Sequence, residues 1–299
     1  MTSKKTKDTE TTDVVVQDPN ARALAPIIDY GSDIGAGTDD IGQDEAGIPF
    51  LKILQAQSPQ VIGPDGKIEG AAAGLFLNTG TEELTTSVRI VPACRQHVYV
   101  EWRSKKEGGG IVGVHQPGSE IVTTAIAANA ASIAAGENSR KKAGKMRFGE
   151  FYTPEGNELS ETFYVYAVVL DENDSPEGFI VVPFNSTAIK HYKKKFINRV
   201  RYCLVDDGTG RKGNPPMFAH RVVLTTAQEA NDDGTWFNYA IQFAVDNNVQ
   251  QSLMTPDNPA YQAAKELKAM VDGGEAKADL SKAETGTDGG GESDGGSAF

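Results

Sequence analysis

The chain has 299 residues, 39% of them hydrophobic, and a formal net charge of −12, a length that allows one large domain or two ordinary ones. Residues 1–50 carry a net −6 and residues 272–299 a net −5, leaving −1 for residues 51–271, so the acidity sits at the ends and says little about what the middle binds. Two distant cysteines (Cys94, Cys203) and four scattered histidines (His97, His115, His191, His220) exclude a disulfide framework and a zinc site.

No apolar run reaches membrane-spanning length, and no apolar segment follows the basic N-terminal residues, so a cytoplasmic protein without membrane contact is expected. Residues 1–45, rich in Thr, Asp, Gly and Lys, offer too little apolar surface to offset the entropy of ordering and are expected to be disordered. Order is expected from GIPFLKILQAQSPQV, with Ile48, Phe50, Leu51, Ile53 and Leu54, and GPDGKIEG after it reads as a loop.

A β-rich block follows. VRIVPA (88–93), HVYVEW (97–102), FYVYAVVL (163–170), FIVVPF (179–184), AHRVVLTT (219–226) and WFNYAIQFAV (236–245) are β-branched and aromatic runs. Turn clusters such as DENDSPEG and NDDG bound them, which predicts an antiparallel sheet or barrel joined by hairpins. Three stretches read as helix. TAIAANAASIAA (124–135) is rich in alanine. The run from Ser186 has that residue as expected N-cap and Ile189, Tyr192, Phe196, Val200 and Cys203 at helical spacing. NPAYQAAKELKAMVDGG has Asn258 as cap, Pro259 at its first position, Tyr261, Ala264, Leu267 and Val271 on one face, and Gly273 as stop. The expected organisation is a disordered segment 1–45, a single domain 46–271, and a disordered acidic tail 272–299.

The search for catalytic chemistry finds little. GGGIVG contains GxGxxG at Gly108, Gly110 and Gly113 but leads into VHQPGSE rather than a helix, so it reads as a hairpin loop and not a dinucleotide cradle. Walker A, HExxH, GxSxG and EF-hand patterns are missing from the sequence, and the Asp206–Asp207 and Asp232–Asp233 pairs read as solvated turns. The chain is therefore read as a non-enzyme without metal or cofactor.

Cations and aromatics give the positive signal. RKKAGKMRFGEFY places Arg140, Lys141, Lys142, Lys145 and Arg147 among Phe148, Phe151 and Tyr152. The helix from Ser186 adds Lys190, Lys193, Lys194, Lys195, Arg199 and Arg201, largely off its apolar face, with Tyr192 a further aromatic that also fits the core. HVYVEWRSKK carries Tyr99 on a strand leading to Arg103, Lys105 and Lys106. Alternation puts Tyr99 and Arg103 on a solvent-facing side and buries Trp102; Trp236 also reads as core. Backbone phosphates need cations and unpaired bases need flat rings, so the interleaving points to single-stranded nucleic acid.

The acidic tail ending in Phe299, attached to a barrel-like domain with such patches, resembles the single-stranded DNA-binding proteins of bacteria and tailed phages. GIPFLKILQAQSPQV, YVEWRSKKEGGGIVGVH and GTWFNYAIQF are similar to segments of a phage early-region family usually described as single-stranded DNA-binding, over roughly residues 47–115 and 215–245. The resemblance implies an oligonucleotide/oligosaccharide-binding (OB) barrel that coats single strands during phage replication or recombination in the host cytoplasm. It also implies a tail, with Asp288, Glu292, Asp294 and Phe299, that competes with DNA and recruits replication or recombination proteins. The tail departs from the family pattern in its Gly and Ser content and its Ser-Ala-Phe end. A homo-oligomer is compatible with all this. The alternatives are a protein-interaction or virion-associated structural protein, and a strand-annealing recombinase.

Overall fold

The computed structural model describes residues 47–63, 66–103, 109–134, 150–206, 208–232 and 234–282. The expected disordered segment 1–45 and all of the tail beyond residue 282 lie outside them. In chain order the elements are β1 (Leu51–Ile53), α1 (Pro59–Ile62), β2 (Phe76–Asn78), β3 (Leu84–Thr85), β4 (Ser87–Trp102), β5 (Ile111–His115), α2 (Glu120–Ala134), β6 (Glu150–Tyr152), β7 (Glu158–Leu170) and β8 (Pro176–Asn185). Then come α3 (Ser186–His191), a π-helical segment (Tyr192–Ile197) and α4 (Asn198–Arg201), which run together as one basic helix, followed by β9 (Val205–Asp206), β10 (Lys212–Gly213), β11 (Val222–Asn231), β12 (Gly234–Phe243) and α5 (Pro259–Gly273).

Seven strands form one sheet in the order β12-β11-β4-β7-β6, with β5 also on β4 and β8 also on β7; β1-β2-β3 make a smaller sheet and β9-β10 a two-stranded one. Every ladder is antiparallel. The mostly β, α+β class expected from the sequence is what the chain adopts. The closed OB-type barrel is not. Closure needs an unbroken ladder around the ring, and no ladder joins β8 to β12 among the described residues. The β1 segment stands there instead. Val181 N donates to Pro49 O at 2.8 Å, while the Gln55 carboxamide pairs with Phe237, its Nε2 donating to the carbonyl at 2.9 Å and its Oε1 accepting from the amide at 2.8 Å. One side chain thus occupies the backbone edge that a further strand would otherwise use.

β7 is buried on both faces. Tyr164, Tyr166, Val168 and Leu170 point to one core and Phe163, Val165 and Ala167 to the other. The first core lies under α5, whose Ala260, Ala264, Leu267 and Val271 form its apolar stripe. Asn258 caps that helix as expected, accepting from Ala260 N; the left-handed stop is Gly274 (φ 79°) rather than Gly273, which is still helical. The second core lies under the basic helix, where Tyr192 and Phe196 stack on Phe184 and Phe243 at 4.7 and 5.9 Å. Asn185, not Ser186, occupies the N-cap position: β8 runs straight into α3, and Ser186, at φ 44°, makes the corner. α2 begins four residues before the expected Thr124, at Glu120. The glycine run forms the hairpin expected of it, since Gly109 and Gly110 have positive φ and Arg103 N donates to Gly110 O as β4 turns into β5.

Candidate functional site

A β-bulge sets up the site. In the ladder with β7, Pro92 faces Ala167 and Cys94 faces Tyr166, so Ala93 is the extra residue. Before it, Val88 and Ile90 lie in the core under the basic helix, and Val91 and Ala93 in the core under α5. After it, Cys94, Val98 and Val100 take the α5 side. One inserted residue changes the phase of the alternation and re-aims every later side chain. Arg95, His97, Tyr99 and Glu101 are therefore turned to the sheet face that carries the basic helix.

Phe163, 4% exposed, is the centre of what they form. The His97 imidazole lies parallel to its ring, with centroids 4.5 Å and planes 12° apart. The Arg95 guanidinium sits 5.4 Å and the Lys193 ammonium 5.1 Å from the same ring centroid, both in the range of cation–π attraction. Glu161 is the acid of the cluster, 3.0 Å from His97 Nε2 and 3.9 Å from Lys193 Nζ. Arg95 is exposed and has no carboxylate within ion-pair distance among the described residues. Tyr192 packs from below at 5.7 Å; burial pushes its hydroxyl up to about 12, with the Arg95 charge pulling the other way.

The three lysines of the basic helix lie on its π-helical turn. Asn198 N donates to Lys193 O, five residues back, and this wider turn accommodates one more residue than an α-turn. Tyr192 and Phe196, four residues apart and so on one helix face, are both in the core, while Lys193, Lys194 and Lys195 between them are all exposed. Three adjacent cations on one turn repel one another, and a multiply charged anion relieves that repulsion.

The sequence-derived candidates divide into groups. Lys105, Lys106, Arg140, Lys141, Lys142, Lys145, Arg147 and Phe148, and the tail residues Asp288, Glu292, Asp294 and Phe299, lie outside the described residues. Arg103, Lys190, Lys193, Lys194, Lys195 and Arg201 are exposed, as is Tyr152 at 41%. Tyr99 is not: it is 8% exposed, covered by Val122 and Ala125 of α2 and packed beside Leu159. Alternation placed it on the correct face, but a helix distant in sequence closes over that end of the sheet. Phe151 is half-buried against Tyr99, with ring centroids 6.1 Å apart. Tyr192, 1% exposed, belongs to the core. Arg199 is a structural residue, donating to the Asn247 side chain at 2.6 Å and to its carbonyl, with its guanidinium 4.7 Å above Phe243. Trp102 and Trp236 are half-buried rather than fully buried.

Arg95, His97, Glu161 and Phe163 were not candidates from sequence. The available signal was Pro92 inside a strand run, which marks a bulge in a central strand. Two further features stand apart from the cluster. Glu101, 5% exposed, accepts from Asn157 Nδ2 at 2.7 Å and holds His115 Nε2 at 2.7 Å, a buried pair that ties the β4–β5 hairpin to the β6–β7 turn. Tyr202 and Leu204, 81% and 51% exposed, lead into a groove of about 360 Å³ lined by Val205, Pro215, Pro216, Met254 and Tyr261. Among the described residues no group of His, Cys, Asp and Glu is arranged to hold a metal ion, and no helix is long and apolar enough to cross a membrane.

Fold and site together define a β-rich α+β protein with a cation-lined sheet face. The chain belongs to the family of Pam3 phage gp34-like proteins, whose model matches residues 17–277, and it is a phage protein on that ground. No curated protein and no solved structure matches it.

Proposed function

We propose that this protein binds single-stranded DNA without sequence specificity in phage DNA replication or recombination. The observation that carries the reading is the conjunction on one sheet face of exposed cations (Arg95, Lys193, Lys194, Lys195) with a ring cluster centred on Phe163. The lysines meet backbone phosphates and the face meets bases, which are accessible only when unpaired. Arg103, Lys190 and Arg201 extend the cationic surface. The acidic segment with Asp288, Glu292, Asp294 and Phe299 competes for the same cations and recruits replication or recombination proteins once a strand displaces it. Membership of a phage family supports the setting.

Salt dependence tests the lysines. Binding of an oligo-dT should weaken linearly in log–log terms with salt, and Lys193→Glu, Lys194→Glu and Lys195→Glu combined should reduce the slope by about two, because each single-strand phosphate neutralised contributes roughly 0.7. An unchanged slope places the strand elsewhere. A protein-interaction role is the second reading, favoured by the exposure of Tyr202 and Leu204 beside the groove; a stable complex with another phage protein and no DNA affinity at low salt would establish it.

A further inference from the structure

Cations alone do not tell a single strand from a duplex, since both present phosphates; a ring open to an unpaired base does. His97 has the geometry of such a ring. It packs parallel on buried Phe163, which sets its tilt, with a Glu161 carboxylate oxygen 3.0 Å from its Nε2 and the Tyr99 ring 5.6 Å away. Its side chain nonetheless remains 35% exposed. Arg95 and Lys193 flank it over the same Phe163, where the phosphates on either side of a stacked base would fall. The other histidines lack this combination. His115 and His191 are held by glutamates but stack on no aromatic ring among the described residues, and His220 is fully buried.

We propose that His97 is a base-stacking platform for an unpaired nucleobase, with Arg95 and Lys193 taking the adjacent phosphates. The proposal rests on the reading of this face as a single-strand site and adds the residue that makes it selective for unpaired bases. Because packing on Phe163 already restricts the ring, stacking costs less further side-chain entropy. Sequence tolerance follows as well, since every base has a flat face.

The experiment compares full-length wild type, His97→Ala, His97→Leu and His97→Tyr on an oligo-dT and on an abasic deoxyribose-phosphate strand of equal length, with folding checked by circular dichroism. On oligo-dT, His97→Ala and His97→Leu should bind roughly tenfold more weakly and His97→Tyr at least as tightly as wild type. On the abasic strand all four should bind alike. If the Ala and Leu variants lose the same factor on both strands, His97 acts through charge or local structure and the platform is overturned; if they lose nothing on oligo-dT, it is overturned while the cation site stands. Wild type that binds neither strand removes the site itself, an outcome distinct from both.

Discussion

Pro92 and Cys94 are two apart in sequence but neighbours in the ladder with β7, facing Ala167 and Tyr166. The facing of Arg95, His97, Tyr99 and Glu101 follows from the residue skipped between them. Had the alternation run unbroken through Ala93, Arg95 and His97 would point into the core under α5 and the Phe163 ring would lose Arg95 and His97 from its cover.

Deletion of Ala93 removes the bulge but leaves the later side chains on their present faces. Insertion of one residue between Cys94 and Arg95 instead turns Arg95 and His97 into the core under α5, and should therefore abolish cooperative folding. Burying unpaired charge costs about 3–5 kcal/mol per group, comparable with the whole stability of a domain, about 5–15 kcal/mol. Near-UV circular dichroism and thermal unfolding read this directly; an insertion variant that unfolds cooperatively near the wild-type temperature would show that the alternation after the bulge is not fixed by its phase.

Tyr99 separates packing from recognition. Tyr99→Ala should destabilise by about 3 kcal/mol, as for a large buried side chain, whereas Tyr99→Phe should keep both stability and DNA affinity. Urea unfolding and strand binding on the two variants check it. A folded Tyr99→Phe that binds DNA several-fold more weakly would return the hydroxyl to the binding surface.

The two arginines of the basic helix should behave differently. Arg199, bonded to Asn247 and resting on Phe243, should cost about 1–2 kcal/mol of stability when changed to Ala, the range of a hydrogen bond to a charged group. Arg201→Ala should leave stability within about 0.5 kcal/mol, as an exposed substitution does, and weaken DNA binding instead. Equal stability losses for the two would contradict the assignment.

His220 introduces a pH dependence. It is fully buried, and desolvation holds its pKa below the ordinary 6.5. The unfolded chain binds the proton more readily than the folded one, so this residue's contribution is intact above pH 6.5 and is lost as the pH falls from there through its depressed folded value. The wild-type melting temperature should fall between about pH 7 and about pH 5.5, and fall less in His220→Gln. The same decline in both proteins would assign the acid sensitivity to other groups.

The sequence makes some of this legible and hides the rest for identifiable reasons. FYVYAVVL, FIVVPF and WFNYAIQFAV announce β7, β8 and β12 because long runs of β-branched and aromatic residues have one good use. The three helices are visible in alanine content, spacing and the Asn258–Pro259 start. β1, β2 and β3 are too short for periodicity to register, and EFY within a basic stretch does not look like β6. VRIVPACRQHVYVEW reads as two strands with a gap, whereas β4 runs through it as one, so Arg95 falls in the supposed gap and the phase change at Ala93 goes unseen. The lysines of the basic helix are evident in sequence, and the four-residue spacing of Tyr192 and Phe196 already sets them off the core face, whereas the π segment that widens this turn has no sequence signature comparable to a cap. What covers Tyr99 is a tertiary fact, decided by where α2 lands.

The proposed role requires that this face prefer an unpaired strand to a duplex. The most direct test is fluorescence anisotropy of the full-length protein with a labelled oligo-dT of about 30 nucleotides and its duplex counterpart, at about 50 and about 200 mM salt. The expected result is tight binding to the single strand that falls steeply with salt, and little binding to the duplex. No binding to the single strand at the lower salt, or equal affinity for strand and duplex, would contradict it.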